Sequence, residues 1–348
     1  MAKEKEEKKS LQDVMKELNK TYGVGSVMCG NQKESYDEVV STGSLGLDIA
    51  LGVGGLPKNG GKVIEIYGWE SCGKSTLSQT IIANFQKAGV KCLLVDGEDS
   101  LDAKYSTALG INLEELYLIQ LDETAGEGAY DKMEKIVETG EIGLVVIDSY
   151  NALQPLKIVE GEMGDSSMGL HSRMLGKAVM KANHLASKHG TLFIFIGQLR
   201  EKIGVMFGSP ETTQGGNALK FYCHVRLDVR RSLTTENSVM EGKQKIGNKT
   251  TVKVIKNKLA PPFKNCSFDI IYGKGIDKIA EIIDIGHDCG VLKVFGKSTT
   301  YNGVKYDGKV FDQMIEDNEE LYNEIKEKIM ESINNPVKEL VDAGTDTE

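Results

Sequence analysis

The residues with the clearest chemistry in this sequence are those of the segment GWESCGKS, residues 68–75. Its spacing is G-x-x-x-x-G-K-S, in which glycines let the backbone approach a phosphate and its N–H groups face the anion. The lysine can reach the β- and γ-phosphate oxygens, and the serine can ligate Mg²⁺. We therefore predict a nucleoside triphosphate site with Mg²⁺, formed by Gly68, Trp69, Glu70, Ser71, Cys72, Gly73, Lys74, Ser75 and Thr76.

Two acidic residues at the ends of apolar runs could complete a hydrolytic site. Asp148 ends the run LVVID and fits the strand-end aspartate that holds Mg²⁺ beside such a loop. Glu98 follows the run KCLLVDG and can orient and activate the attacking water. On spacing alone, Asp148 could instead cap a helix, and Glu98 could be an ordinary surface residue. Beside the phosphate loop, the two residues predict a metal ligand, shared with Ser75, and a catalytic carboxylate.

Composition narrows the class of protein. The 348 residues carry a net charge of −9, and no apolar run approaches the roughly 20 residues needed to span a bilayer. The first residues, MAKEKEEKKS, are unlike a secretory signal, and six cysteines without a C-x-x-C pair are typical of reduced thiols. We expect a cytoplasmic protein with no membrane partner.

Cys72 is either reactive, because amide N–H groups and Lys74 favour a thiolate, or a small residue that fills a tight turn.

The phosphate loop and the two carboxylates depend on strands to bring them together. From about residue 36, strand and helix patterns alternate, and KVIEIYG, KCLLVDGE, IGLVVIDS and TLFIFIGQ are short, nearly continuous apolar runs. Such runs are typical of parallel strands buried on both faces, whose carboxyl ends collect ligands. Later runs, HVRLDVRRS, TVKVIKNK and SFDIIYG, extend the sheet. We predict an α/β fold with a mostly parallel twisted sheet flanked by helices.

Smaller segments are expected on either side of this core. Ser10 and Asp13 have the spacing of a helix cap, and apolar residues at helical spacing run from Leu11 to Leu18. A helix this short needs a partner for its apolar stripe, either its own core or a neighbouring copy. The predicted organisation is an N-terminal helix and linker (1–35), an ATPase core (36–276), a small α/β domain (277–335) and an acidic tail expected to be disordered (336–348).

Charge is distributed unevenly along the chain. Residues 168–232 contain ten basic residues against three acidic ones, whereas residues 311–348 contain twelve acidic residues against three lysines. A basic stretch is either a solvated face or a surface for nucleic acid. The acidic end either competes with nucleic acid for that basic surface or only improves solubility.

Over nearly its full length the sequence resembles the bacterial RecA recombinases. The segments EGEMGDSSMGLHSRM (160–174), EKIGVMFGSPETTQGGNALKFY (201–222) and VKVIKNKLAPPFK (252–264) are similar to the family's first DNA loop, second DNA loop and inter-subunit strand. We set the two DNA loops at about 160–174 and 199–216. The resemblance implies a RecA-type ATPase core and an ATP-dependent helical filament on single-stranded DNA. It also implies that the filament pairs that DNA with a homologous duplex and exchanges strands.

The resemblance also implies roles for individual residues around ATP. Glu98 matches the water-activating glutamate, and Gln198 matches a γ-phosphate sensor just before the second DNA loop. Asp102, Tyr105 and Tyr272 match positions near the adenine, although the tyrosines could be plain core residues. Lys256 and Lys258 match paired lysines that reach the γ-phosphate bound to the adjacent subunit. Their alternate spacing on a strand would point both to one side, as it would on a merely solvated face.

DNA contacts are implied in and beside the two loops. Basic side chains there would neutralise phosphates, which gives salt-sensitive binding without sequence preference. Apolar side chains in the second loop could wedge between bases; without the family, GVMFG could equally mark a protein interface. The DNA-binding residues implied by the resemblance are Met168, Arg173, Arg200, Ile203, Met206, Phe207 and Lys220.

Two positions depart from the family's pattern. Gly197 stands before the sensor glutamine where the family usually has Asn, and Met180 stands where it typically has Arg. The implied partners are DNA, further copies of the chain, a LexA-type repressor of the SOS response that cleaves itself on the filament, and single-strand-binding or loader proteins. Two alternatives remain open at this point: a filament that acts mainly as a signalling scaffold, and a ring helicase of the same core fold.

Overall fold

The computed structural model describes residues 9–22, 26–30, 38–162, 166, 169–201, 210–231, 238–242 and 244–334. The chain divides into two compact units, Met1–Asp37 and Glu38–Glu348. In the first unit, helix α1 (Leu11–Tyr22) begins at the predicted cap, where the Ser10 hydroxyl accepts the N–H of Asp13 at 3.2 Å. No helix in the described ranges is long and apolar enough to cross a membrane.

The second unit alternates strands and helices, as the sequence predicts. Its strands in chain order are β1 (Val39–Val40), β2 (Leu56–Pro57), β3 (Val63–Gly68), β4 (Lys91–Asp96), β5 (Leu116–Gln120), β6 (Ile142–Asp148), β7 (Leu192–Glu201), β8 (Glu211–Thr213), β9 (Val225–Arg231), β10 (Ser238–Glu241), β11 (Gln244–Asn257), β12 (Asn265–Ile271), β13 (Gly275–Ile276), β14 (Lys293–Phe295), β15 (Ser298–Tyr301) and β16 (Val304–Asp307). Its helices are α2 (Leu45–Leu51), α3 (Lys74–Lys87), α4 (Ala103–Ala108), α5 (Ala125–Val137), α6 (Leu156–Val159), α7 (Leu170–His189), α8 (Ala218–Tyr222), α9 (Lys278–Asp288), α10 (Gly308–Asp317) and α11 (Glu319–Asn334).

One large sheet runs through this unit in the order β13-β12-β11-β9-β3-β7-β6-β4-β5. From β9 to β5 neighbouring strands are parallel, whereas β11, β12 and β13 are added antiparallel. The prediction of a mostly parallel sheet is confirmed. The crossover order is not a property of the local patterns, and it sets β3 between β9 and β7. The carboxyl ends of β3, β4, β6 and β7 therefore meet at one edge.

Side chains of the central strands alternate between two apolar clusters. Ile194 and Ile196 of β7 join the cluster that contains α3, whereas Phe193 and Phe195 join the cluster that contains α5 and α7. This alternation follows from the two-residue period of a strand. Because both faces are covered, the runs are apolar at nearly every position, which explains why periodicity in the sequence could not separate the faces.

The segment after β13 has an apolar cluster of its own. Helices α9, α10 and α11 and strands β14 to β16 enclose residues such as Ile282, Phe311 and Ile325, which are fully or almost fully buried. Leu45 of α2 belongs to the same cluster, and Glu281 of α9 accepts the backbone N–H groups of Leu45 and Gly46, each at 3.0 Å. This segment and the core lie in one compact unit, so the boundary at 276/277 stays a prediction. The predicted tail, 336–348, lies outside the described residues.

Candidate nucleotide site and nucleic-acid interface

The predicted phosphate loop joins the end of β3 to the start of α3. A β-carbon at Gly68 would lie 2.1 Å from the Val229 carbonyl oxygen, so the backbone of β9 leaves room there for hydrogen only. Gly73 has φ +97°, and a β-carbon on it would lie 2.4 Å from Cδ1 of Ile270. Both positions therefore require glycine, one for close approach and one also for a left-handed backbone. Trp69, Glu70, Ser71 and Ser75 are exposed on the loop.

Lys74 is held against this loop. Its ammonium group donates a hydrogen bond to the carbonyl oxygen of Trp69 at 2.7 Å, and the side chain is buried. Cys72 is also buried, and that burial raises the pKa of its thiol in spite of the nearby Lys74 charge. A thiolate is disfavoured in this environment, so the structure supports the interpretation of Cys72 as a small packing residue.

A pocket of about 410 Å³ opens beside the loop. Residues 71–76 line it together with Tyr105, Asn248 and Tyr272. The Tyr105 hydroxyl lies 2.9 Å from Oγ1 of Thr76, and the Asn248 amide donates to the Tyr272 hydroxyl at 2.6 Å. A pocket of this size that pairs a glycine-bounded loop with two tyrosines fits a nucleotide.

Asp102 lies at the start of α4 rather than in the pocket wall. Its carboxylate caps the helix by accepting the N–H of Tyr105 at 3.0 Å. The structure thus gives Asp102 a role in placing Tyr105, and its predicted contact with nucleotide stays a prediction. Sequence reasoning missed Arg231 and Asn248, which line the same pocket from β9 and β11. Both face the pocket only because β11 pairs with β9 and β12 over this stretch.

Ser75 and Asp148, the predicted Mg²⁺ ligands, lie near each other, and the Ser75 hydroxyl favours the ionised form of Asp148, which lowers its pKa. Asp148 ends β6, beside the carboxyl end of β4. Burial raises the pKa of Asp148 to about 6, and the Ser75 hydrogen bond opposes that rise. A hydroxyl and a carboxylate are suitable oxygen ligands for Mg²⁺, which keeps several waters and binds phosphate oxygens. Within the described ranges, no group of three or more His, Cys, Asp and Glu side chains could hold a metal ion.

Glu98 and Gln198 come into direct contact although one hundred residues separate them. The Gln198 amide donates to Oε1 of Glu98 at 2.9 Å, and the Ser149 hydroxyl donates to the same oxygen at 2.5 Å. The turn that carries Glu98 is held by Asp96, whose carboxylate accepts the N–H groups of Glu98, Ser100 and Leu101 at 3.0 to 3.3 Å.

Asn151 connects Gln198 to the second predicted DNA loop. Its side-chain oxygen accepts the backbone N–H of Gln198 at 2.8 Å, and its amide donates to Gln214 at 3.0 Å. Sequence reasoning missed Asn151, Ser149 and Asp96. Asn151 and Ser149 follow the strand-end Asp148 directly, but nothing in their spacing indicates which strand they contact.

The space beside Gly197 is occupied by an aromatic ring. A β-carbon at Gly197 would lie 2.3 Å from the hydroxyl oxygen of Tyr150 and 2.6 Å from two of its ring carbons. Tyr150 is fully buried, and its hydroxyl donates to Glu65 at 3.2 Å. The absence of a side chain at 197 is therefore matched by a large one at 150. Met180, the other departure, is half exposed on α7.

The two predicted trans-acting lysines lie away from the pocket. Lys256 donates to the carbonyl oxygens of Lys220 and Phe221 at 2.7 and 3.0 Å, which are at the carboxyl end of α8. Lys258 lies one residue beyond β11, and the ladder has a bulge between Val254 and Lys256. The role of the pair in an adjacent subunit's site stays a prediction. Neither lysine is among the described residues that line the pocket of its own chain.

Three of the predicted DNA-binding residues can be located. Arg173 is exposed in the first turn of α7, and Arg200 is exposed near the end of β7, opposite Thr212 of β8. Lys220 is half-buried on α8. The remaining four, Met168, Ile203, Met206 and Phe207, lie outside the described residues, so their predicted contacts stay predictions.

Comparison with known proteins gives a consistent result over most of the chain. The model of the RecA N-terminal domain matches residues 9–277. The chain is 49% identical to Protein RecA of Cytophaga hutchinsonii over 333 residues, 94% of this chain and 91% of that protein. It is 47% identical to Protein RecA of Bordetella petrii over 332 residues, 94% of this chain and 90% of that protein. It is 48% identical to Protein RecA of Azospirillum lipoferum over 302 residues, 86% of this chain and 82% of that protein.

Proposed function

Because this chain belongs to the bacterial RecA family, we propose that it is an ATP-dependent homologous recombinase. It forms a helical filament on single-stranded DNA, hydrolyses ATP with Mg²⁺, and pairs the bound strand with a homologous duplex for strand exchange. The observation that carries the proposal is the contact between Glu98 and Gln198. It joins the residue suited to activate water to the strand end that leads into the second DNA loop.

The phosphate loop binds the triphosphate. Its backbone N–H groups and Lys74 face the phosphate oxygens, and the adenine lies near Tyr105 and Tyr272, which line the same pocket. Mg²⁺, when bound, neutralises charge on the phosphates, and Ser75 and Asp148 supply oxygen ligands for it. The Ser75 hydroxyl lies near enough to the Asp148 carboxylate to oppose the rise in its pKa caused by burial, which is consistent with two ligands of one ion.

Gln198 can act as a switch because its amide has two possible acceptors. In the structure the amide donates to Glu98; a γ-phosphate oxygen would compete for the same hydrogen. Transfer of the amide to the phosphate would free Glu98 to orient water and would shift the end of β7. Asn151 links that strand end to Gln214, so the shift would reach both ends of the second loop.

Hydrolysis is completed by a neighbouring subunit. Lys256 and Lys258 lie outside the pocket of their own chain, and two ammonium groups supplied from the adjacent protomer would stabilise charge on the γ-phosphate in the transition state. ATP hydrolysis would then depend on filament assembly. DNA would bind through basic groups such as Arg173, Arg200 and Lys220, with a strong dependence on salt.

Finer parts of the proposal concern partners and location. A cytoplasmic filament would promote self-cleavage of a LexA-type repressor in the SOS response to DNA damage, and loader and single-strand-binding proteins would control its assembly. The acidic segment 311–348 would compete with DNA for the basic surface, an inhibition that salt or Mg²⁺ relieves.

The test combines electron microscopy with a joint-molecule assay. The protein is mixed with single-stranded DNA and a homologous duplex, with ATP, with a non-hydrolysable ATP analogue, or without nucleotide. We expect extended filaments only with nucleotide and joint molecules only with the homologous duplex. Lys74→Ala, which removes the phosphate-binding ammonium, should lose both ATP hydrolysis and joint molecules. Filaments that never yield joint molecules would favour a signalling scaffold, and unwinding of a duplex without pairing would favour a helicase.

A further inference from the structure

The only tryptophan of the chain stands at a junction between two parts of the site. Trp69 is the second residue of the phosphate loop, and its carbonyl oxygen accepts the hydrogen bond of Lys74 at 2.7 Å. Its indole N–H donates to Oε1 of Glu211 at 2.8 Å. Glu211 is the first residue of β8 and pairs with Glu201, the last residue of β7. Residues 202–209 lie between these two strands in the sequence. One residue thus contacts both the phosphate-binding lysine and the base of the second DNA loop.

Glu211 is held firmly in this position. Arg230 of β9 binds it with two parallel hydrogen bonds of 2.6 Å each, and Asp228 binds the same guanidinium at 2.5 and 3.0 Å. The Arg230 contact holds the pKa of Glu211 at about 2, so the carboxylate is ionised at any working pH. A charged acceptor makes the indole contact stronger than a hydrogen bond between neutral groups. The Glu211 carboxylate is only partly exposed, which limits competition by water at the acceptor.

We infer that Trp69 is a positioning residue that couples the phosphate loop to the second DNA loop through Glu211, separately from the Gln198 contact. When a triphosphate competes for the Lys74 ammonium, the Trp69 carbonyl loses its donor and the loop can shift. The indole N–H transmits that shift to Glu211 and hence to β8. The same bond acts in reverse, so DNA bound at the second loop stabilises the phosphate loop, because coupling between two binding sites is reciprocal. This inference rests on the proposed function, which assigns DNA binding to residues 199–216.

The link runs through side chains that sequence spacing does not connect. Trp69 and Glu211 are separated by 142 residues, and they meet because β3 lies between β9 and β7. Gln198 reaches the same loop from its other end, through β7. Nucleotide state would therefore act on both strand ends that flank residues 202–209, through two separate contacts.

The experiment measures how strongly nucleotide controls DNA affinity. The affinity for an oligo-dT strand is determined with a non-hydrolysable ATP analogue and with ADP, and the ratio of the two is compared among variants. Trp69→Phe keeps an aromatic ring but removes the N–H, and Glu211→Ala removes the acceptor. Each should lower the ratio by about three- to tenfold, the range expected for one partly exposed charge-assisted hydrogen bond. The double variant should fall no further than the single ones.

Two variants control for charge and for folding. Glu115→Ala removes an exposed carboxylate outside both predicted DNA loops, so it changes the net charge by the same amount but should leave the ratio unchanged. Glu211→Gln keeps an oxygen that can accept the indole N–H, and it should retain more of the ratio than Glu211→Ala. If Glu211→Ala does not fold, Trp69→Phe and Glu211→Gln still decide the outcome.

Fluorescence of the single tryptophan gives an independent measurement. Addition of oligo-dT to the complex with the ATP analogue should change the emission of Trp69, and in Glu211→Ala that DNA-dependent change should be lost while the nucleotide-dependent change remains. Electron microscopy checks that the wild-type and Glu211→Ala proteins form filaments to the same extent. An unchanged affinity ratio in Trp69→Phe, or a DNA response that persists in Glu211→Ala, overturns the inference. If the wild-type protein binds no DNA with either nucleotide, the proposed function fails as well.

Discussion

Replacement of Gly197 by alanine tests whether Tyr150 fills the space beside the sensor strand. The new β-carbon would lie 2.3 Å from the Tyr150 hydroxyl oxygen and 2.6 Å from two ring carbons, far inside van der Waals contact. The ring cannot move aside freely, because it is fully buried, packs against Phe195 with ring centroids 6.5 Å apart, and is hydrogen-bonded to Glu65. We therefore expect an overpacking cost of about 3 kcal/mol, the upper part of the usual range.

Part of that cost is offset by the backbone. Glycine in a strand loses more backbone conformational entropy on folding than alanine does, a difference of roughly 0.5–1 kcal/mol. Gly197→Ala should therefore lower the free energy of unfolding by about 2 kcal/mol. The assay is urea unfolding, read from the midpoint at constant slope. Gly176→Ala is the matched control: its β-carbon would meet only the Ala218 methyl at 3.9 Å. That change lies inside α7 and should stabilise by up to about 1 kcal/mol.

A double-mutant cycle identifies the cause. Tyr150→Ala alone should cost about 3–5 kcal/mol through the cavity that it leaves. Combined with Gly197→Ala, the total cost should be about 3 kcal/mol less than the sum of the two single costs, because the added methyl then enters empty space and the overpacking cost is absent. Additive effects, or a Gly197→Ala variant as stable as Gly176→Ala, would refute the reasoning. The family's asparagine at position 197 should be destabilising in this chain for the same reason.

Three further outcomes follow from the site and from the α9 contact. Lys256→Ala should reduce ATP turnover by about 10³-fold. Mixing this variant with Glu98→Ala should restore part of the turnover, since some subunit interfaces then carry both wild-type groups. No recovery at any mixing ratio would contradict catalysis in trans. Asp96→Ala should lower turnover with little change in nucleotide affinity, because it releases the turn that carries Glu98; steady-state kinetics separate the two, and an unchanged kcat counts against the positioning role. Burial raises the pKa of Glu281 from 4.5 to about 7, so the folded state holds one proton more than the unfolded state between these values, and stability falls as pH rises through that window. In urea unfolding the wild-type protein should lose about 1–3 kcal/mol of stability between pH 5 and pH 8, and Glu281→Gln should not. An equal pH dependence in the wild-type and Glu281→Gln proteins would show that Glu281 is not its source.

The sequence by itself determined the local chemistry of the nucleotide site. The phosphate loop, Asp148 and Glu98 are contiguous with the strands that carry them, so glycine spacing and apolar runs were enough to locate each one. Strand content, the mostly parallel sheet and the capped α1 were likewise readable, because each depends on residues near one another in the chain. The roles proposed for Gln198, Lys256 and the DNA loops came from family resemblance, since no local pattern distinguishes a sensor glutamine from any other.

Tertiary structure decided which of these groups meet. The order β9-β3-β7-β6-β4 brings Gln198 onto Glu98, Tyr150 against Gly197, and Glu211 onto the indole of Trp69. Each of these contacts joins residues from different strands or turns, and two of them join residues a hundred or more positions apart. Local periodicity carries no information about strand order, because every central strand of a sheet covered on both faces has the same apolar pattern. The contacts that would couple nucleotide to DNA are therefore properties of the sheet's topology, whereas the groups that would bind phosphate are properties of the sequence.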